Sequence, residues 1–565
     1  HREGRVVPRG GMFPEGLQPP GMKNWTRPLA LEPVQIGMLI GDEGELREHL
    51  PIKDTPKVLI DALLASEDED FYEHSGVNII SLVRALIINL QTGTYTQGAS
   101  TIHMQVVRNL SQHKEKTLIR KLDEIASAYF LNGYLSKEEV LQLYINIPYL
   151  GQRKSYPICG FAMASKHYFN KDVRDITLDE AALLVGILPA PGIYRPDANP
   201  EGAKERRNRV LQRMAITKKY KIGEALQKPI SVTRLTLPKP RYPDFLSYTY
   251  EWLTKRYDKE VLYGSGLQVF TSLDIVLQER SKRLIPKWLN ALQEKTGYEY
   301  TEPLEAAASL VDTKTGYLVA LYGGSMKHHT DFNRATQAKR QSGSSFKPLV
   351  YALAFSRTNR EGKPLWKSFD TVRNDKHTFQ GTDGWRPRNT SGYYSKTSSL
   401  AAGLARSLNI ATADLLQRCG GPEPLLTFTK EFGFDTTDFP QEMGLALGQA
   451  ETTPLEQSRF VATIANGGKK TKAHPVISAR DLLGRERILT SNHGKEILTR
   501  QSTALVRELM RLVVTSGTGY STTGVGKFPG YKGAAIGKTG TTDQNKDLWF
   551  IGATPAYSSS LWIGT

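Results

Sequence analysis

Helical periodicity holds over much of the chain up to about residue 230. It then stops in a basic stretch, 229–243, with prolines at 229, 238, 240 and 243. Proline fixes φ and lacks the amide proton that helix interiors and central strands use. Four of them in so short a run therefore divide the chain. Before the break, apolar residues recur at helical spacing in 56–65, 81–90, 117–131, 137–144 and 178–188, which predicts a mainly α block. After it, 266–273 alternates like a strand and 275–292 reads as a helix. From about Pro303, strands at 306–311, 317–322 and 548–552 are interleaved with helices. The second block is mixed α and β. Residues 1–30, rich in Gly, Pro and Arg, show no period.

Composition narrows what these blocks do. With 39% hydrophobic and 23% charged residues, the 565-residue chain is not a disordered one. Its net charge of +17, from 74 Lys+Arg against 57 Asp+Glu, favours an anionic partner: nucleic acid, a phosphate-bearing substrate or an anionic membrane surface. The two cysteines, Cys159 and Cys419, lie too far apart in sequence to suggest a disulfide framework. There is no CxxC or HExxH zinc motif. No run reaches the ~18 apolar residues of a membrane-spanning helix. Both ends read as truncated, and an anchor helix is expected outside this chain.

Three motifs in order give the second block its chemistry: Ser344-Ser345-Phe346-Lys347, then Ser407-Leu408-Asn409, then Lys538-Thr539-Gly540. Each alone is commonplace, and Ser344 alone reads as a helix cap. Together, in α/β context, they specify an activated serine. Ser344 opens a predicted helix, and Lys347 follows at i+3 on the same face. A serine hydroxyl attacks only when a neighbouring base takes its proton. Lys347 serves only when neutral, a state that burial and the nearby Lys538 both favour. Ser407 can relay a proton to the leaving amine. Asn409 can orient Lys347 and hold a substrate amide. Lys538-Thr539-Gly540 suits an edge strand on which an extended peptide pairs, with Lys538 and Thr539 facing its terminal carboxylate. Backbone N–H groups of Ser344 and Thr541 are the expected oxyanion donors. The set is shared by penicillin-binding proteins and class A β-lactamases.

The first block carries a second constellation. Glu67-Asp68-Glu69-Asp70-Phe71-Tyr72-Glu73-His74-Ser75-Gly76 sets four consecutive acids, and a fifth at Glu73, beside aromatics and a histidine. Taken alone it reads as a solvated acidic helix end, favourable near an N-terminus. Gly98-Ala99-Ser100-Thr101 follows, then Gln105, Arg108 and Asn109, then Arg120-Lys121 and Glu124 on one predicted helix. There Arg120 and Glu124 have the spacing of a surface ion pair.

With both constellations in place, the chain resembles the class A penicillin-binding proteins, in which a lysozyme-like glycosyltransferase domain precedes the transpeptidase. The family's EDxxFxxHxG motif matches at Glu67, Asp68, Phe71, His74 and Gly76. The GASTxxQQxxKN motif matches at Gly98, Ala99, Ser100, Thr101, Gln105 and Asn109. Arg120-Lys121-x-x-Glu124 matches the third motif, and 137–146 and 160–169 resemble the fourth and fifth. The resemblance implies a mainly-α lysozyme-like domain at 31–228, a small α+β linker at 229–302, and a C-terminally truncated α/β transpeptidase domain with an antiparallel sheet at 303–565. Residues 1–30 would be the remnant of a regulatory domain.

The resemblance also implies roles. Glu67 would be the general base, taking the proton of the sugar 4-hydroxyl of lipid II as it attacks the lipid-linked growing strand. Arg84, Arg108, Arg120 and Lys121 would face the departing pyrophosphate, with Glu124 as second carboxylate and a Mg or Mn ion beside it. Asp68, Phe71, His74, Ser100, Thr101, Gln105 and Asn109 would contact substrate. The implied partners are lipid II and the glycan strand, stem peptides, β-lactams as inhibitors, the membrane surface and cell-wall regulatory proteins, with no nucleic acid. The implied location is the bacterial inner membrane, with the catalytic domains on its periplasmic side. Besides Arg108, three residues depart from the pattern: His103 and Met104 stand where the family has a polar residue and Gln, and Gln142 stands where it has Glu. Arg108 replaces a Lys, and the two are not interchangeable. Two other readings stand beside this one. One is a transpeptidase or penicillin-sensing scaffold whose glycosyltransferase is inactive. The other is a serine β-lactamase or carboxypeptidase with water as acyl acceptor.

Overall fold

The computed structural model describes residues 5–6, 29–30, 34–37, 45–92, 100–110, 118–153, 156–233, 241–258, 261–262, 266–296, 304–324, 332–490, 494–520, 531 and 533–565. The chain forms two compact units. One comprises His1–Arg241, Arg256–Val269 and Ala479–Arg487; the other comprises Tyr242–Lys255, Phe270–Ser478 and Ile488–Thr565. Among the described residues no helix is long and apolar enough to cross a membrane. Cys159 and Cys419 are both buried and free.

The first unit is mainly helical. Its centre is the helix Leu178–Ile187, apolar on nearly every side and almost wholly buried, as expected of a helix enclosed by others. The helices Lys57–Glu67 and Pro200–Lys218 pack against it. Gly186 permits the closest approach, since a Cβ there would lie 2.9 Å from the Arg206 carbonyl carbon. Local signals set several helix starts. Ser136 and Glu139 form a reciprocal capping box ahead of Lys137–Asn146. Asn199 accepts from Gly202 N at 3.0 Å, with Pro200 at the first helical position. Sequence periodicity gave no sign of one sheet here: Leu46–Arg47, Tyr156–Cys159 and Tyr149–Arg153, in the order first, second, third.

The second unit is built on a five-stranded antiparallel sheet. Its order is Ile536–Thr541, Asp547–Ala553, Tyr557–Gly564, Glu305–Asp312, Leu318–Tyr322. Ile536–Thr541, which carries Lys538-Thr539-Gly540, is therefore an edge strand. The alternation of Tyr557–Gly564 buries Ser558, Ser560 and Trp562 on one face, while Leu561 and Ile563 join Leu289 on the other. Helices cover both faces: Pro454–Ala465 packs on Tyr557–Gly564 and Glu305–Asp312, and Ile275–Thr296 packs on Leu318–Tyr322. The helix Lys347–Ser356 is buried along its length, with Asn409–Arg418 and Arg500–Thr515 against it. The expected helix start at Ser344 needs correcting. Gly343–Phe346 is a 3₁₀ turn, and the α-helix begins at Lys347.

Candidate active sites

In the first unit, Glu67 is the last residue of the helix Lys57–Glu67. An acidic side chain at a helix C-terminus opposes the macrodipole, so helix stability does not explain its place, and the reading of this run as a favourable N-terminal acidic end does not apply to Glu67. Two donors hold its carboxylate: Ser66 Oγ donates to Oε1 at 3.0 Å, and Gln105 Nε2 donates to Oε2 at 3.0 Å. The Gln105 carbonyl oxygen accepts from Tyr144 Oη at 2.9 Å. Sequence reading did not single out Tyr144. Its only signal there was its place on the helix resembling the fourth motif.

Asp68, Phe71, His74 and Thr101 face inward and brace the loop after Glu67. Asp68 Oδ2 accepts from Ile102 N at 2.9 Å, and His74 Nε2 lies 3.0 Å from both Asp68 oxygens. Gly76 N donates to His74 Nδ1 at 3.1 Å, and Thr101 Oγ1 donates to Gly76 O at 2.7 Å. Gly76 sits at φ 89°, where a Cβ would lie 2.4 Å from Ala128 O; only glycine closes this turn. Lys137 Nζ donates to His74 O at 2.6 Å and lies over the Phe71 ring at 4.9 Å.

Further along, Lys121 Nζ donates to Ser100 Oγ at 2.8 Å and lies 3.3 Å from Glu124 Oε2. Glu124 is buried, and its partner is Lys121 at i+3. Arg84, Arg108 and Asn109 are exposed. Gly98 and Ala99 lie outside the described residues, as does the Arg120 side chain. The three departures do not hydrogen-bond Glu67. Met104 belongs to the core. His103 is buried against Phe71 and His74, and burial pushes its pKa down to about 3. Gln142 accepts from Ile52 N at 3.1 Å and donates to Leu482 O.

A divalent ion has two candidate places. Asp68, His74 and His103 bring ligand atoms within 4.8 Å of one another. That group does not fit a metal. Because Nδ1 of His74 accepts the Gly76 N–H, Nε2 carries the ring proton and gives it to Asp68. Ligation through Nε2 would set an Nδ1–H against the Gly76 N–H. Glu124 offers one carboxylate, which suits an ion of the Mg type that completes its shell with phosphate oxygens and water.

In the second unit, Ser344 is half-buried in the 3₁₀ turn, and Lys347, three residues on, is fully buried. Lys347 Nζ reaches Ser407 O at 2.7 Å, Ser407 Oγ at 3.2 Å and Asn409 Oδ1 at 2.6 Å. Lys538 Nζ reaches the same Ser407 Oγ at 3.0 Å and Thr539 O at 2.8 Å. One hydroxyl thus lies between two buried amines. Burial, and secondarily Lys538, holds Lys347 well below the usual lysine range; burial brings Lys538 down to about 7. This depression favours the neutral amine of Lys347, the form that can act as a base, and Ser407 Oγ lies where it can pass a proton along the line. Ser407 takes φ 58° to reach this position. Asn409 Nδ2 donates to Arg388 O at 2.6 Å, which fixes the amide with its oxygen toward Lys347. Thr539 Oγ1 lies 3.0 Å from Thr518 Oγ1 at the exposed edge. Arg388 and Thr518 had no motif to mark them.

The edge strand lies directly on the nucleophile's turn. A Cβ at Gly540 would fall 2.8 Å from Ser342 O and 2.9 Å from Ser345 N, and one at Gly343, with φ 50°, 2.6 Å from Thr541 O. Thr541 backbone therefore borders the turn that carries Ser344. Gly540→Ala is expected to push the strand from Ser344 and to slow acylation by a fluorescent penicillin on the order of 100-fold. An unchanged acylation rate would show that the turn absorbs the methyl.

Comparison with known proteins finds two family models in the chain. The transglycosylase family model matches residues 34–215, and the penicillin binding protein transpeptidase domain model matches residues 306–564. The chain is 33% identical over 543 residues to penicillin-binding protein 1B of Haemophilus influenzae, covering 94% of this chain and 67% of that protein. It is also 33% identical over 549 residues to penicillin-binding protein 1B of Vibrio cholerae, covering 95% and 68%. Among solved structures, that of penicillin-binding protein 1A from Haemophilus influenzae aligns with a TM-score of 0.56 at 20% identity, over 93% of this chain and 86% of that one; this likeness concerns fold. Carrying both domains in this order, the chain belongs to the class A penicillin-binding proteins, the bifunctional peptidoglycan glycosyltransferase/transpeptidases.

Proposed function

We propose that residues 31–228 polymerise lipid II into glycan strands, and that residues 303–565 crosslink their stem peptides through an acyl-Ser344 intermediate, with 229–302 as the linker. The observation that carries the second half is the Lys347–Ser407–Lys538 line, with Lys347 one turn after Ser344 and its N–H on Ser344 O. Lys347 takes the Ser344 proton as the hydroxyl attacks the donor peptide carbonyl. Ser344 and Thr541 N–H groups receive the oxyanion. The proton returns through Ser407 to the departing D-alanine. An amine of a second stem peptide then attacks the acyl-enzyme carbonyl, the ester bond to Ser344 breaks, and the proton lost by the amine returns to the Ser344 oxygen. Lys538 and Thr539 receive the donor's terminal carboxylate, and the carboxylate of a β-lactam occupies the same place.

In the first unit, Glu67 removes the 4-hydroxyl proton of the acceptor sugar as it attacks the anomeric carbon of the donor strand. The leaving group is a polyprenyl pyrophosphate. Arg84, Arg108, Arg120 and Lys121 meet its charge. Glu124 orients Lys121 and is the residue that would hold a Mg or Mn ion, which supplies further neutralisation of the pyrophosphate. Asp68, Phe71, His74 and Thr101 act on substrate through the loop they brace. Ser100, Gln105 and Asn109 complete the site. Exposed apolar side chains support work at a lipid surface: Ile79, Ile80, Val83 and Ile87 on Ile79–Thr92, and Leu122, Tyr129, Phe130 and Tyr134 on Leu118–Tyr134. That surface is the periplasmic face of the inner membrane, where cell-wall regulatory proteins are further partners.

Among the described residues no carboxylate hydrogen-bonds Lys347, Ser407 or Asn409, so no water-activating acid favours a β-lactamase. Nor do Met104 and Gln142 favour a scaffold with a dead transferase, since neither hydrogen-bonds Glu67. The deciding experiment supplies lipid II and Mg²⁺ to the protein with and without penicillin. Glycan chains are expected in both, and crosslinked muropeptides only without the drug. Ser344 acylated by penicillin with no glycan formed would overturn the bifunctional reading.

A further inference from the structure

We infer that Tyr144 is a positioning residue of glycosyl transfer: its hydroxyl fixes the Gln105 amide in the one orientation that lets the amide nitrogen hold the Glu67 carboxylate. The inference rests on Glu67 being the base. A carboxylate only accepts hydrogen bonds, so the Gln105 atom 3.0 Å from Glu67 Oε2 is its nitrogen. Its oxygen must then point the other way, where it meets Tyr144 Oη at 2.9 Å. With an acceptor facing it, the phenol has to donate. Burial raises the Tyr144 pKa well above the ordinary phenol value, so the proton stays on.

The helix Lys137–Asn146 is held so that Tyr144 cannot drift. Asn146 clamps Leu50 through two hydrogen bonds of 2.8 Å, one to its N–H and one to its carbonyl. Gln142, on the same helix face, takes the Ile52 N–H at 3.1 Å and donates to Leu482 O. Arg485 pairs with Glu139 at 2.9 Å. Leu482 and Arg485 lie in the 479–487 segment, which belongs to this unit although it comes more than 300 residues later in the chain. Pinned along one face, the helix presents Tyr144 on the opposite one. Ser66 holds only the other oxygen of Glu67. Without the hydroxyl, the Gln105 amide is free to turn and set its oxygen against the carboxylate, and Glu67 leaves the position from which it reaches the acceptor hydroxyl.

The test is Tyr144→Phe in the full chain, which removes one oxygen and keeps the ring. Polymerisation kcat is expected to fall by about 10–100-fold with KM for lipid II unchanged, while acylation of Ser344 by penicillin keeps its rate. Because Tyr144 acts through Gln105, Tyr144→Phe combined with Gln105→Ala should be no slower than Gln105→Ala alone. A purely structural role would give multiplying losses and a lowered melting temperature. If Tyr144→Phe proves too unstable to assay, Gln105→Ala alone carries the same expectation for kcat and KM. Glu67→Gln separates the two claims. If it leaves polymerisation intact, the base assignment fails. If it abolishes polymerisation while Tyr144→Phe matches the wild type, or the double variant loses the product of the two factors, only the role of Tyr144 is overturned.

Discussion

Lys347→Met is expected to slow acylation of Ser344 by penicillin about 10³–10⁴-fold, the upper range of what a positioned general base contributes. Methionine nearly matches the lysine stem in shape and removes an amine that is fully buried. Burying a charge or a poorly solvated amine is costly, so the fold should hold or gain stability while the chemistry stops. The wild-type pH profile should have two limbs. On the acid side, proton uptake by the Lys347–Lys538 pair charges Lys347 and removes the base. Above about 7, Lys538 loses its proton and the cation facing the substrate carboxylate disappears. Two amines joined through Ser407 Oγ at 3.2 and 3.0 Å titrate as a pair, so the limbs belong to both. Lys347→Met should lose the acid limb and keep the alkaline one. Stopped-flow acylation with a fluorescent penicillin from pH 5 to 9 reads both effects. A wild-type rate in the variant would mean that another group takes the Ser344 proton.

How much of this was legible in sequence differs between the two units. The edge position of Lys538-Thr539-Gly540 followed from its motif, and the sheet places Ile536–Thr541 at the edge. Period marked the helices Lys57–Glu67, Ile79–Thr92, Leu118–Tyr134 and Lys137–Asn146 to within a few residues and missed Ile102–Leu110, which carries Gln105. What sequence could not supply was direction. Asp68 and His74 carry the chemistry of a ligand-binding pair, yet the Ile102 and Gly76 N–H groups turn both inward. Those partners lie 34 and 2 residues away, and no local pattern reports the first. Gln142 looked like a lost acid; in the fold its amide bridges two backbone segments, one of them 340 residues distant. Tyr144 carried no motif; in the fold it is a core aromatic except at its hydroxyl, which meets Gln105. Periodicity assigns a residue to a face. It does not say which polar atom of that residue finds a partner across the core.

Glu67→Gln is expected to slow glycan polymerisation about 10³-fold and to leave penicillin acylation of Ser344 unchanged. Glutamine is isosteric, and its oxygen can still accept from Ser66 or Gln105, so the loop braced by Asp68 and His74 keeps its shape. What is lost is the capacity to take a proton. The wild-type carboxylate has one oxygen toward Gln105 and the other toward Ser66, and the Ser66-facing Oε1 keeps a lone pair for the acceptor hydroxyl. Oε2, which accepts from Gln105, keeps one as well, and the two donors together fix the orientation of the carboxylate. Glu67→Asp retains the charge but withdraws it by one methylene, so it should retain more activity than Glu67→Gln. A rate for Glu67→Asp well below the wild type marks a base that must reach its proton, whereas a carboxylate needed only for its charge would let Asp work nearly as well as Glu. Lipid II turnover read as chain length on a gel, alongside the acylation rate of the same preparation, distinguishes the two and shows that the protein is folded. If Glu67→Gln polymerises at the wild-type rate, the base lies elsewhere, and Glu124, buried beside Lys121, is the next carboxylate to replace.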